Sequence, residues 1–421
     1  MRTAQALRPI AVAIALALTT TGAFATDGYF SDGYGVRARG MGGASLATAL
    51  DAFGGANNPA SMAFVGNRLD LGIYWFSPDR GAERTGSMPS LNGNSTSDSK
   101  NFYIPEIAVN WMLRPDMALG LTIYGNGGMN TDYAGGEINC GQGPANLLCG
   151  QGRLGVNMSQ LIVAPTFAWK FAPQQSIGIS PLFAYQQFEA KGLQAFDNPM
   201  QSFSAYPGYV TDKGNDSSTG WGFRLGYQGK FDAFRVGLMY TSKMSMSAFD
   251  SYKGLFAEQG GFDIPSHYGL GVAWEPDSTW LVAFDYERIN YSDAKSVSNP
   301  STNRAPLGAD NGPGFGWQDI NVYRLGVQYR IDPTWAVRAG YNRSDNPITS
   351  RDVTFNILAP GVVQNHVTLG FTYTINPTSE ISMAYGHAFE NEVSGPSLLL
   401  GGNEKIWMSQ NFLGIGWNMK F

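Results

Sequence analysis

Three histidines, two cysteines and a few paired acids are the residues here from which catalysis or metal binding could be built. His267, His366 and His387 are widely separated, and none sits in a recognisable catalytic or metal-binding motif. Asp285 and Glu287 alternate onto one face of an extended segment, but acids at that spacing usually hold structure rather than move protons. Gly40-Met41-Gly42-Gly43-Ala44 is glycine-rich enough to suggest a phosphate loop. It has neither the strand–loop–helix setting nor the lysine such a loop needs. Cys140 and Cys149 share a glycine-rich stretch with no histidine nearby, so a disulfide is expected rather than a metal site. Closing so short a loop stabilises a chain by roughly 2.5–3 kcal/mol in the chain-entropy treatment. The residues thus point away from an enzyme, and no cofactor or metal is expected. Asn58-Pro59-Ala60 offers something else. Pro59 fixes its own φ and biases Asn58 away from helix, giving a rigid turn whose amide can pair across a confined space.

The elements that must carry these residues follow from composition and period. Charged residues make up 14% of the chain, against about 25% in an average soluble domain. Glycine accounts for 53 of 421 residues, nearly double the usual share of ~7%. With 13% aromatic residues the chain is too apolar to be disordered. A net charge of −5 gives no electrostatic footprint for nucleic acid, so none is expected as a partner. No apolar run is long enough for a membrane-spanning helix. An all-β protein remains.

Residues 1–25 read as a secretory signal. Arg2 and Arg8 precede a short apolar stretch from Ile10 to Leu18, and Ala23-Phe24-Ala25 is a small-x-small cleavage site. The apolar part is too short to cross a bilayer, so the mature chain is expected beyond the inner membrane.

From residue 67 to 421 the period is two. Leu325, Val327, Tyr329 and Ile331 point one way, and Arg324, Gly326, Gln328 and Arg330 the other. Such alternation predicts strands near 67–76, 102–114, 117–124, 156–171, 176–189, 219–231, 233–246, 264–275, 279–292, 317–331, 334–344, 362–375, 379–392 and 407–421. Short turns and long Gly-, Ser-, Asn- and Asp-rich loops alternate between them. Fourteen antiparallel strands with short turns on one rim and long loops on the other describe a transmembrane β-barrel. An arginine on the lipid side costs roughly 2–4 kcal/mol at the bilayer midplane. The apolar face is therefore expected outward, and the Gly-, Ser-, Thr-, Gln-, Arg- and Asp-bearing face toward the lumen. Trp111, Trp169, Trp274, Trp280 and Trp335 lie near short turns, and Trp75, Trp317 and Trp407 near long loops, as two interfacial belts would require. In the last strand Leu413, Ile415, Trp417, Met419 and Phe421 share a face. A terminal aromatic there resembles the assembly signal of outer-membrane proteins. Outer-membrane lipid, lipopolysaccharide and the barrel assembly machinery are the expected surroundings.

Residues 26–66 do not alternate. They are rich in small residues and glycine pairs, too long for a leader to the first strand, and suited to packing as a plug in the lumen. The run Gly35-Val36-Arg37-Ala38-Arg39-Gly40-Met41-Gly42-Gly43-Ala44, then Asp51, then Asn58-Pro59-Ala60, resembles the N-terminal hatch of the FadL/TodX family of outer-membrane transporters. Thr131-Asp132-Tyr133-Ala134-Gly135-Gly136 is similar to the family's pattern after its third strand. The resemblance implies a fourteen-stranded barrel with an N-terminal hatch, and passive uptake of long-chain fatty acids or other hydrophobic compounds. It implies capture by outer loops, passage to a lumenal pocket, rearrangement of the hatch at Gly40, Gly42, Gly43, Asn58, Pro59 and Ala60, and exit beside the third strand.

The residues fit that route in part. Leu147, Leu148, Phe196, Met200, Phe203, Tyr206, Leu255, Phe256 and Phe262 supply apolar loop surface, and ordinary loop packing is the competing reading. Tyr29 and Phe30 line the pocket if the mature N-terminus reaches it. Gly125, Gly127 and Gly128 either bend the third strand into a lateral opening or form a plain loop. Arg224, Arg235, Arg324 and Arg338 fall on the lumenal phase. They either meet a fatty acid's carboxylate or hold barrel and plug together by ion pairs. Neutral monoaromatic hydrocarbons would need no such cation. A hydrophilic diffusion porin has no use for a forty-residue plug, and an adhesin barrel no use for a greasy path.

Overall fold

The structure is a computed structural model that describes residues 26–200 and 202–421; the leader read over 1–25 lies outside the described residues. The strands are β1 (Arg68–Thr85), β2 (Phe102–Arg114), β3 (Met117–Tyr133), β4 (Leu154–Ala172) and β5 (Gln175–Lys191). Then come β6 (Asp216–Phe231), β7 (Phe234–Thr241), β8 (His267–Trp274), β9 (Trp280–Ile289) and β10 (Ile320–Arg330). β11 (Trp335–Ser344), β12 (Asn365–Asn376), β13 (Ser379–Pro396) and β14 (Asn403–Lys420) complete the set. Each pairs antiparallel with its neighbours in sequence, and β14 returns to β1 from Arg68↔Lys420 to Thr85↔Asn403. The barrel is closed and has fourteen strands, as the alternation predicts. Closure removes both sheet edges, which hydrocarbon would otherwise leave unsatisfied.

Connections 115–116, 173–174, 232–233, 275–279, 331–334 and 377–378 gather on one rim, and the long loops on the other. Register follows the expected phase: Leu325 is 46% exposed, whereas Arg324 next to it is 5% exposed. Trp111, Trp169, Phe171, Phe231, Phe234, Trp274, Trp280 and Trp335 stand exposed near the short-turn rim, where an interfacial belt belongs.

Three expectations need correction. Trp317 is not a belt residue; it is buried, with its indole Nε1 donating to Asn356 Oδ1 at 2.6 Å. β1 and β3 run on to Thr85 and Tyr133, well past residues 76 and 124. Pro78 and the glycines at 125–128 break the sequence pattern without breaking the ladder on the side where a partner remains. Third, the lumenal face is not polar throughout; Arg68, Asp70, Thr166, Ser176, Ser180 and Ser382 sit toward the short turns. Toward the long loops inward apolar side chains, among them Phe76, Phe102, Met158, Leu182, Ile406, Met408 and Phe412, are set between buried polar ones such as Arg80, Arg84, Gln186, Glu404 and Gln410. Alternation reports that two faces differ; it is silent where both are apolar.

Candidate functional site

Residues 26–66 lie against the inner wall and are almost entirely buried. They form one helical turn, α1 (Val36–Arg39), and two 3-10 turns, Ala52–Gly55 and Pro59–Phe64. Asn58 starts the last of these. It is extended (φ −136°), its Oδ1 accepts from Ala60 N at 3.1 Å, and Pro59 occupies the first helical position, where a missing N–H costs nothing. Asn58 Nδ2 donates to Leu46 O (2.7 Å) within the segment and to Tyr227 O (3.0 Å) on β6. Ser176 Oγ on β5 donates to Ala60 O at 2.8 Å.

Glycines of the wall make this fit possible. A Cβ added to Gly340 would lie 2.0 Å from Gly42 N, one on Gly237 1.9 Å from Leu46 O, and one on Gly178 2.4 Å from the Pro59 carbonyl carbon. Gly226, Gly326 and Gly370 likewise face Asn58, Met41 and Gly40. Wall and segment meet backbone to backbone, closer than any side chain allows. Gly42 and Gly43 have φ of 66° and 86°, the left-handed region, and Gly42 N donates to Thr368 Oγ1 at 2.9 Å.

Charged groups complete the seating. Arg324 of β10 pairs with Asp27 (2.7 Å) and with Glu287, and His267 Nδ1 lies 2.5 Å from the same Glu287. Arg37 pairs with Glu380, and Asp285 accepts from Ser45 N (2.6 Å) and Leu46 N (2.9 Å). Arg224 Nη1 donates to Gly55 O (2.8 Å) and Ala56 O (2.5 Å), and its Nε to Thr241 Oγ1 (2.8 Å). Arg224 and Arg324 therefore meet the amino-terminal segment, so of the two readings open for them the geometry favours fastening.

The wall has a window. β2 and β3 pair only from Arg114↔Met117 to Ile107↔Ile123. Beyond that point β2 pairs with β1 alone, and β3 with β4 alone. The divergence falls beside a bulge in β3 between Gly125 and Gly127, so these glycines lie within a strand and not in a loop. The gap closes again farther out, where Asp98 N donates to Asp132 O (2.9 Å) and Arg153 pairs with Asp98 and Asp132 (both 2.6 Å).

The inner face of this window carries residues 29–31. Ser31 N donates to Asn126 O and Gly128 N to Tyr29 O, each at 3.2 Å, and Phe30 bridges Gly127. The bulged edge that lost β2 is thus paired with a three-residue arm. The Tyr34 ring packs at a tilt against Tyr124, 4.4 Å between centroids, and its hydroxyl lies 3.1 Å from Asn126 Oδ1. Tyr29 packs among Phe262, Tyr291 and Trp317, with Tyr291 Oη 3.1 Å from its amide.

Beside the arm is an apolar cavity of 20 Å³ lined by Tyr29, Phe76, Phe102, Met129, Trp317 and Met408. Arg80 also lines it. The alternation does not mark this arginine, because Pro78 interrupts it, although Arg80 keeps the inward phase of Tyr74 and Phe76. Arg80 is buried, and its Nε and Nη2 donate to Asn130 O and Oδ1, both at 2.6 Å. Among the described residues no carboxylate lies within ion-pair distance of it, and the guanidinium is 5.8 Å from the Phe102 ring centroid. A second apolar cavity, of 40 Å³, lies among the long loops and brings together Leu148, Phe196 and Phe256 with Leu193, Leu255 and Phe355. Leu147 is buried beside it and its carbonyl accepts from Arg84 Nη2 at 2.7 Å. Phe203 is 40% exposed against Phe196, and Met200 is 94% exposed. Cys140 and Cys149 form a disulfide in the loop after β3. Phe421 ends the chain exposed at the short-turn rim, its amide donating to Asn67 O at 3.2 Å.

A closed fourteen-strand barrel with an apolar outer surface and short turns on one rim has the architecture of an outer-membrane barrel. The chain belongs to the family described as outer membrane protein transport protein (OMPP1/FadL/TodX), whose profile matches residues 12–397. It is a family of transport channels, so the chain is an outer-membrane transporter of hydrophobic compounds and not an enzyme. No curated protein matches the sequence. Among solved structures the P. putida toluene transporter TodX is similar with a TM-score of 0.69 at 19% identity, covering 93% of this chain and 99% of its own. A Pseudomonas aeruginosa FadL homologue is similar with a TM-score of 0.70 at 15% identity, over 94% and 100%. The Ralstonia pickettii toluene transporter TbuX gives 0.65 at 17%, over 93% and 99%. At these identities the likeness shows the fold.

Proposed function

We propose that the chain admits long-chain fatty acids passively, with residues 26–66 as hatch, the loop cavity as first contact, and the window between β2 and β3 as lateral exit. The observation that carries this reading is Arg80, a buried guanidinium without a carboxylate partner among the described residues, in a chamber whose lining is apolar apart from Arg80 and its partner Asn130. Burial of an unpaired charge is costly, and a bound amphiphile supplies both missing parts. Its tail takes the apolar surface, worth roughly 25 cal/mol per Å² removed from water. Nη1 of Arg80 already donates to Pro78 O (3.2 Å) and Nη2 to Asn130 Oδ1 (2.6 Å), and the ligand's carboxylate takes the one hydrogen left on each.

The chamber of 20 Å³ is smaller than the ~150 Å³ cavity that benzene occupies in a well-studied protein interior. Ligand entry therefore requires Tyr29 to leave. Since Tyr29 belongs to the arm that covers the window, filling the chamber and uncovering the exit become one event. Gly40–Gly43 and the Asn58-Pro59-Ala60 turn anchor the hatch body while residues 26–34 move.

Uptake of radiolabelled oleate and of toluene, each by cells carrying this protein as their sole such channel, tests the assignment. Arg80→Leu should weaken half-saturation for oleate by about 10–150-fold, the range of a charged hydrogen bond of 1.5–3 kcal/mol, and leave toluene unchanged. Wild-type uptake of toluene but not oleate would move the assignment to monoaromatic hydrocarbons.

A further inference from the structure

On the short-turn rim, beneath the amino-terminal segment, lies a polar cavity of 360 Å³. Its lining has five cations, Arg37, Arg235, Arg330, Arg338 and Lys420, and three acids, Glu275, Asp332 and Glu380. Two of the acids are engaged: Glu380 by Arg37 and Lys420, and Glu275 by Arg235 and Lys230. Asp332 Oδ1 accepts from Thr334 N (2.7 Å) and Trp335 N (2.8 Å) in its own turn.

Arg338 is left over. It is 6% exposed, and its Nη1 donates to Thr372 Oγ1 at 2.8 Å. Among the described residues no carboxylate lies within ion-pair distance of it, and its Nε has no partner. Nε and Nη2 together form the flat edge of a guanidinium that grips two oxygens of one anion. Across the same cavity, Arg37 Nε on the amino-terminal segment is also without a partner. A buried cation held in place by a threonine, in the wall of a polar cavity with net positive lining, has the chemistry to receive an anion.

We propose that this vestibule binds an oxyanion on Arg338, either inorganic sulfate or phosphate or the carboxylate of a small organic acid. Short turns face the periplasm in such barrels, so the anion arrives from that side. Once bound it lies between Arg338 on the wall and Arg37 on the amino-terminal segment, and ties the two together. This is separate from the apolar chamber and does not depend on what is transported.

The test uses the full protein in detergent at fixed ionic strength, in chloride, sulfate or butyrate. The thermal midpoint of the heat-modifiable barrel should rise saturably with sulfate, butyrate or both, and stay flat in chloride. A response to sulfate alone identifies an inorganic oxyanion, and one to butyrate alone an organic acid. Arg338→Gln should raise the half-saturating concentration at least tenfold, and Arg114→Gln, on the same rim but outside the cavity and paired with Asp116, should leave it within twofold. Wild-type crystals soaked in selenate give an independent readout that needs no variant: an anomalous peak at hydrogen-bond distance from Arg338. Equal midpoints in all three salts, an Arg338→Gln response matching wild type, or selenate density absent from the vestibule would each overturn the proposal.

Discussion

Gly127 offers the sharpest perturbation of the arm over the wall window. A methyl group at this position would stand 1.8 Å from Tyr29 O and 3.4 Å from Phe30 Cα. Neither contact can be relieved by a rotamer change, because both involve backbone. Gly127→Ala therefore drives residues 29–31 off the β3 edge. Two backbone hydrogen bonds are lost, Ser31 N to Asn126 O and Gly128 N to Tyr29 O. At roughly 0.5–1.5 kcal/mol net each, the covered state is disfavoured by about 1–3 kcal/mol, a shift of roughly 5–150-fold toward the uncovered state. If the covered state limits entry, the apparent affinity for a hydrophobic solute improves by the same factor until uncovering is complete. Initial uptake rates of oleate and toluene across a concentration series measure this, with heat-modifiable mobility showing that the barrel has formed. Rates equal to wild type in a correctly assembled Gly127→Ala barrel would refute the idea that the arm gates the window.

Two further outcomes follow from other contacts. Asn58→Ala removes the bonds to Leu46 O and Tyr227 O together with the cap on Ala60 N, so the hatch body should loosen by about 1–2 kcal/mol; single-channel recording should then show brief ion-conducting openings that wild type lacks. Deleting Phe421 should lower the yield of heat-modifiable barrel several-fold, since it removes the terminal aromatic of the closing strand, and normal yield would show that the residue plays no part in assembly.

The barrel was legible because hydrocarbon on one side and a packed lumen on the other impose a strict period of two. Arg324 and Leu325 could not exchange places without placing a guanidinium in lipid. What escaped notice lies where that contrast fades. Phe76, Phe102 and Met408 face inward yet are apolar like Trp75, Tyr103 and Trp407 beside them, so no rule of alternation marks the chamber they line. Arg80 was hidden behind Pro78, and the β3 glycines read as either loop or strand because the ladder is intact on only one side. The wall glycines are the clearest lesson. Gly178, Gly226, Gly237, Gly326, Gly340 and Gly370 stand in mid-strand where no turn needs them, and an excess of glycine at inward phase signals that another backbone passes close by. Trp317 misled because proximity to a loop end in sequence does not fix which side of the wall a ring takes. Arg338, noted only as one of four lumenal arginines, gained meaning once the other three had been matched to partners.

The backbone-to-backbone seating of residues 26–66 has a consequence for how the molecule is made. Side-chain-free notches on the wall leave no clearance for a folded stopper to be pushed in lengthwise once the cylinder is complete. Because this segment precedes β1, it is already at hand when the β1–β14 seam is still open. A ring whose last pairing is made at that seam, with the segment already seated, closes around its own contents.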